Sequence, residues 1–336
     1  TRQGRTHPPE QAGAAAVRGK LWPTLTAYVL AAGLLLVLSH ALPRLLPGDF
    51  VSAHWQGGEA VLDADRTAAL RERFASAESL GGYLSALARG DWGRSQALGK
   101  PVLELIREAL PWTLLLMGSA HLLSTIGGFL AGVEVAWRRG SPLEKGSVAA
   151  MSLLDGIPEL VGGLLLLLFF SLRLEWLPAA GAQTAYAELT GAAWLAELLR
   201  HLALPLLTLV LAYLPGNFLL ARASMLLVIS APYLETARSK GLPPWRVRYR
   251  HGARNALLPL VTRFGLRFSL MVTGALVVET LFAYPGLGRL LVEAVAQRDL
   301  PLARGIILFS SLSVLALNLA VELLYRRLDP RVSHGC

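Results

Sequence analysis

Charge is scarce in this chain. Asp, Glu, Lys and Arg make up 16% of its 336 residues, against 54% hydrophobic. Soluble domains carry about a quarter charged residues, so the composition excludes an ordinary soluble globule and points to an integral membrane protein. Cysteine is scarcer still: Cys336 is the single one, so no intrachain disulfide can form. A phosphate-cradling loop is also missing. The nearest text, "GRSQALGKP" (93–101), separates its glycines by five residues rather than four. It also puts Pro101 where a Mg²⁺-binding Ser or Thr is needed. The chain is therefore expected to hydrolyse no ATP of its own and to hold no cofactor. H-E-x-x-H does not occur, and the apolar runs offer essentially only His121 and Asp155 as metal-type ligands. No metal site is expected, and a bare metal ion is excluded as cargo.

What the chain does have is six apolar runs, at about 21–42, 111–137, 148–172, 202–229, 256–282 and 303–324. Each approaches the roughly 20 residues that cross a bilayer. The net charge is +9. On a soluble protein that would suggest nucleic acid, but in a membrane protein Lys and Arg collect in cytoplasmic loops. Arg2, Arg5, Arg18 and Lys20 precede the first run. Arg138, Arg139 and Lys145 follow the second. Arg222, Arg238, Lys240, Arg246, Arg248, Arg250 and Arg254 cluster around the end of the fourth, and Arg326, Arg327 and Arg331 close the chain. In the loop 47–110 acidic residues outnumber basic ones. Both termini are thus expected in the cytoplasm, in an all-α, six-helix integral membrane protein with loop 47–110 outside. The first run has signal-peptide features, but it exceeds the usual apolar length of such a peptide and is read as an uncleaved helix. The outer loop carries "DADRTAALRERFASAESLGGYLSALARG", with helical spacing of Ala, Leu and Phe and Asp63 or Asp65 as N-cap, predicting amphipathic helix. The divisions are a tail at 1–20, a first transmembrane helix at 21–46, the outer loop at 47–110, a five-helix core at 111–329 and a tail at 330–336.

"ETARSKGLPPWRVRYRHGARNALLP" (235–259) interrupts the greasy pattern. A short helix should begin after Pro232. Gly241 can take positive φ and stop it, and Pro243 and Pro244 suit the start of a second helix. A positive loop that only set topology would need no such rigid helix–hinge–helix.

This segment, with His251, Asn255, Ala256 and Pro259, resembles the coupling motif of ABC-importer membrane subunits, written E-A-A, some residues, then G. The chain is most similar to the dipeptide/oligopeptide/nickel permease group, first permease of the pair. "LLPGD" (45–49), "GDWGRS" with "KPVLELIREALPWTLLL" (90–116), "EWLPAAG" (175–181), "HLALPLLTLVLAYLPGNFLLARASML" (201–226) and "VVETLFAYPGLGRLLVEAVAQRDLP" (277–301) resemble that group in the same order. The resemblance implies that segment 232–256 docks on a cytoplasmic ATPase, with Glu235, Ala237 and Gly241 at the motif positions and Thr236, Arg238 and Lys240 between them. Glu235 would meet the ATPase, Ala237 would allow its close approach and Gly241 would make the bend. The implied partners are a second homologous permease, two ABC ATPases holding ATP and Mg²⁺, and an extracytoplasmic binding protein, besides membrane lipid and without nucleic acid. The implied activity is peptide import by alternating access, with chelated nickel or another small solute as alternative cargo.

Charge at membrane depth marks function by default. Asp155 and Glu159, four apart in the third run, and Arg263 and Arg267, four apart in the fifth, are each read as sharing one helical face, either lining a translocation path or sitting near the cytoplasmic helix ends and snorkelling to the interface. The resemblance leads one to expect uncharged residues at Asp155 and Arg267. Glu279 is read as holding the outer gate or loop. His121 is read as a packed polar residue. A secondary transporter is the rival class, but no inverted repeat or interrupted midplane helix is evident. Intramembrane proteolysis is disfavoured, because "MGSAH" (117–121) lacks the glycine of a rhomboid-type serine and "LLDG" (153–156) lacks a Gly-rich partner motif.

Overall fold

The computed structural model describes residues 9–41, 79–184, 189–271 and 275–328, all helical or in connecting turns. The expected N-cap at Asp63 or Asp65, the "LLPGD" stretch and the two tails' extremities lie outside them. Among the described residues four helices are long and apolar enough to cross a membrane, or five if one bent pair counts as a span.

Two units pack separately. One gathers α1 (Pro9–Ala41), α2 (Leu80–Ala88) and α12 (Leu300–Leu328). Ser79 caps α2, its Oγ accepting from Gly82 N at 3.1 Å. Asp299 is fully buried ahead of α12. It accepts from Ser95 Oγ at 2.5 Å, from Ala97 N at 3.0 Å and from Leu302 N at 3.2 Å, so one carboxylate ties the 93–101 turn to the helix it caps.

The other unit, 103–296, holds the remaining helices. α3 runs from Val102 to Trp137, nine residues earlier than hydropathy alone predicts. Residues 102–110 are amphipathic: Leu105, Ile106 and Ala109 are buried while Glu104, Arg107 and Glu108 are exposed. α6 (Gly191–Ile229) likewise starts early and contains Pro205 and Pro215. α3 crosses α6 at Gly128 and Gly132, spaced as small-xxx-small pairs are. A Cβ on Gly132 would lie 2.6 Å from Phe218 O, and one on Gly128 2.9 Å from Phe218 N, so the two backbones touch. Leu116, Met117 and Ala120 of α3 join Leu202, Leu204 and Leu209 of α6 in the main core.

The third apolar run is not one helix. α4 (Pro142–Asp155) and α5 (Glu159–Leu166, continuing as π-helical turns to Arg173) meet at 97°. Pro158 bars Ile157 from the helical region and supplies no N–H. Asp155 and Glu159 therefore share no helical face, contrary to the expectation from their spacing. Of the fifth run, residues 272–274 lie outside the described ones. α9 (Leu258–Leu270) and α10 (Leu276–Leu281) are separate helices among the described residues, and neither counts among the long apolar helices.

Candidate functional site

α7 (Pro232–Ser239) starts on Pro232, whose absent N–H costs nothing in a first turn. It ends where Gly241 turns at φ +72°, and Gly241 N donates to Arg238 O at 2.9 Å. α8 follows from Pro244 through π-helical Val247–Ala253 to Ala256. Leu234 (0% exposed), Ala237 (5%) and Val247 (1%) make a small core with Trp137, Val228 and Leu242. Glu235, Thr236 and Lys240 are exposed away from this core, and Arg238, four residues after Leu234, is exposed at its edge. Ala237 is therefore not on the outward face, where a partner could approach it. Its small side chain lets α7 lie flat on its own chain.

The base under α7 is the end of α3. The Arg238 and Arg248 guanidiniums stand 5.3 and 5.4 Å from the Trp137 ring centroid. Glu134 accepts from Arg138 at 2.8 Å and from Tyr249 Oη at 3.1 Å, and it pairs with Arg248. Asn255 donates to Tyr233 Oη at 2.7 Å, joining α8 to α7. Trp137, Ile229, Arg238, Leu242, Pro244 and Val247 line an open cavity of about 400 Å³ beside this joint. Nearby, Glu144 accepts two bonds from Arg222 at 2.6 and 3.0 Å and one from Gly140 N at 2.5 Å. That fixes the α3–α4 turn to α6.

At the other end of α3, Glu279 is fully buried. One carboxylate oxygen accepts from Thr113 Oγ1 at 2.8 Å. The other accepts from Gly288 N at 2.7 Å and Arg289 N at 3.1 Å. Thr113 Oγ1 in turn accepts from Leu287 N at 2.8 Å. The first turn of α11 (Leu287–Ala296) is thereby clamped to both α3 and α10, with the negative charge at its N-terminus. A Cβ on Gly286 would collide with this carboxylate, which is why the turn needs glycine there.

Between these ends, Arg263 donates to Gly216 O at 2.8 Å, beside Pro215 on α6. Arg267 stands 5.3 Å above the Tyr213 ring. Tyr213 stacks on buried His121 at 4.6 Å, with planes 3° apart. Asp155 acts electrostatically on Arg263, and Glu159 on Tyr213. Arg267 and His121 thus flank Tyr213, Arg263 is tied to the neighbouring Gly216 carbonyl, and Asp155 and Glu159 stand on different helices. Among the described residues no group of three His, Cys, Asp or Glu is placed to hold a metal ion.

Sequence reading missed Trp137, Glu134, Tyr213 and Thr113. Glu134 had a readable signal, four residues before Arg138 on a helix. Trp137 and Tyr213 had none, because their cationic partners come from distant stretches of chain.

These observations define a polytopic helical membrane protein that presents a braced polar helix at its basic end. The chain belongs to the family of binding-protein-dependent transport system inner membrane components, whose pattern it matches over residues 124–334. It is thereby a non-catalytic, inner-membrane subunit of an ABC transport system. It is 34% identical to the oligopeptide transport system permease protein AppB of Bacillus subtilis, covering 89% of this chain and 94% of that protein. It is 34% identical to the di/tripeptide transport system permease protein DppB of Pseudomonas aeruginosa, over the same shares. It is 36% identical to the glutathione transport system permease protein GsiC of Escherichia coli, over 75% of this chain and 78% of that protein.

Proposed function

We propose that this chain is one of two permease subunits forming the pore of an ATP-driven peptide importer. The observation that carries this reading is α7, which exposes Glu235 and Thr236, with Lys240 just after it, while Leu234 and Ala237 anchor it and Arg238 reaches Trp137 at the joint. A rigid polar ridge of this kind suits the groove of a cytoplasmic ATPase. ATP-driven closure of two such ATPases would draw the ridges together and open the pore outward. Hydrolysis would reset it inward, with ATP and Mg²⁺ held by the partners. A second, similar permease would complete the pore, and an extracytoplasmic binding protein would deliver cargo. Oligopeptide, di/tripeptide and glutathione, named for the relatives, share an amide backbone with charged termini, and that is the cargo chemistry inferred here.

Reversing the charge of the ridge tests the coupling. Tagged wild type extracted in mild detergent should co-purify a second permease and ABC ATPases, identified by mass. Glu235→Arg should keep the permease and lose most of the ATPases, since Glu235 is exposed and holds no fold contact among the described residues. Wild type without ATPases would refute the reading.

Arg267 over Tyr213 and Arg263 on the Gly216 carbonyl, with Asp155 and Glu159, are read as part of the translocation path. Arg263→Gln and Arg267→Gln should each lower peptide transport into proteoliposomes about tenfold, the size of one charge-assisted hydrogen bond. Unchanged transport would assign these arginines to packing alone.

A further inference from the structure

We propose that α3 is the transmission rod of this subunit and that Trp137 and Thr113 are its positioning residues at the two ends. The inference deepens the importer reading and rests on it. Trp137 is where the ATPase-facing helix grips α3. The α7 residue Arg238 and the α8 residue Arg248 both stand over its ring, and Glu134, three residues earlier on α3, holds Arg248, Tyr249 and Arg138 together. Thr113 is where α3 grips the far loop. Its hydroxyl donates to Glu279 and accepts from Leu287 N at the start of α11. A displacement of α7 therefore reaches α3 directly, and a displacement of α3 reaches α11 directly.

The stretch between these grips is suited to carry the motion. From Thr113 to Trp137 the helix is continuous and contains no proline. At roughly 1.5 Å per residue it spans about 36 Å, enough to cross a bilayer core of about 30 Å. α6, which leads into α7 through Ser230 and Ala231, is the competing route. It carries Pro205 and Pro215, each of which removes a rung of the hydrogen-bond ladder and permits bending. Motion entering α6 is partly absorbed there. Motion entering α3 meets no proline beyond Thr113, and its Gly128 and Gly132 are held against the backbone of α6.

The test uses the whole complex, co-expressed and reconstituted in nanodiscs. The native Cys336 is replaced by serine, so that Ala296→Cys, exposed at the end of α11, becomes the only labelling site on this chain. Its rate of modification by a membrane-impermeant maleimide is compared with and without ATP plus vanadate. Wild type should show a severalfold nucleotide-dependent change. Trp137→Ala and Thr113→Val should lose that change while the ATPases still co-purify, and Trp137→Phe should restore it, because an aromatic face is kept for the two arginines. A full nucleotide response in Trp137→Ala, with ATPases bound, overturns the inference and leaves the importer reading standing. If Trp137→Ala does not assemble, Glu134→Gln, equal in volume, decides: a diminished response supports the rod and a wild-type response overturns it. A wild-type complex without ATPases would remove the importer reading and this inference with it.

Discussion

Glu279→Ala should destabilise the protein by about 3–5 kcal/mol. The substitution leaves the Thr113 hydroxyl and the Gly288 and Arg289 amides without an acceptor in a site of 0% exposure. Each orphaned buried group costs roughly 1–3 kcal/mol, and the cavity adds to it. Glu279→Gln keeps the shape and one acceptor oxygen toward the two amides. It loses only the Thr113 bond, for about 1 kcal/mol. Thermal unfolding of the detergent-solubilised protein should therefore rank wild type above Gln and Gln well above Ala. If Ala and Gln fall together, the negative charge itself matters more than the count of hydrogen bonds.

Gly132→Ala should be the other severe change, although it adds one methyl group. That methyl would sit 2.6 Å from Phe218 O and 2.7 Å from Ala221 Cβ. The nearest atom is backbone, so no side chain can rotate away, and α3 and α6 must separate. Overpacking of this kind costs about 1–3 kcal/mol, and the loss spreads along the crossing that Gly128 shares. Gly118→Ala is the internal control. It lies on the same helix, its Cβ would meet nothing within 4 Å, and a helical glycine replaced by alanine gains about 0.4–1 kcal/mol. Size-exclusion profiles and melting temperatures should move in opposite directions for the two variants. Equal behaviour would mean that the helices do not approach as closely as the geometry at Gly132 requires.

Helix α7 was legible in the sequence because local backbone chemistry writes it: Pro232 starts it, Gly241 turns it and Pro243 with Pro244 restarts the chain. Helix ends were less legible. Hydropathy finds the lipid-immersed part of a helix and stops there, so the amphipathic start of α3 at 102–110 fell into the outer loop. The break at Gly156–Pro158 was written in the sequence but outweighed by the apolar run around it, and Asp155 and Glu159 were then paired by a spacing that holds only within one helix. The inward turn of Ala237 could not be read from the motif, which fixes residue type but not which face is already occupied. Trp137, Tyr213 and Thr113 depend on partners remote in sequence, and only the folded packing brings them together.

The bend between α4 and α5 also bears on how this chain can live in a bilayer. A helix end leaves four N–H or four C=O groups without intrahelical partners, and α5 starts on Pro158 with no side chain capping it. Asp155, Gly156 and Ile157 beside it are exposed on this subunit. Hydrocarbon cannot solvate such groups, whereas water or another polypeptide can. A solitary copy would have to draw water to the bend or shield it from lipid. The backbone at the bend therefore calls for water or another polypeptide against it rather than lipid tails.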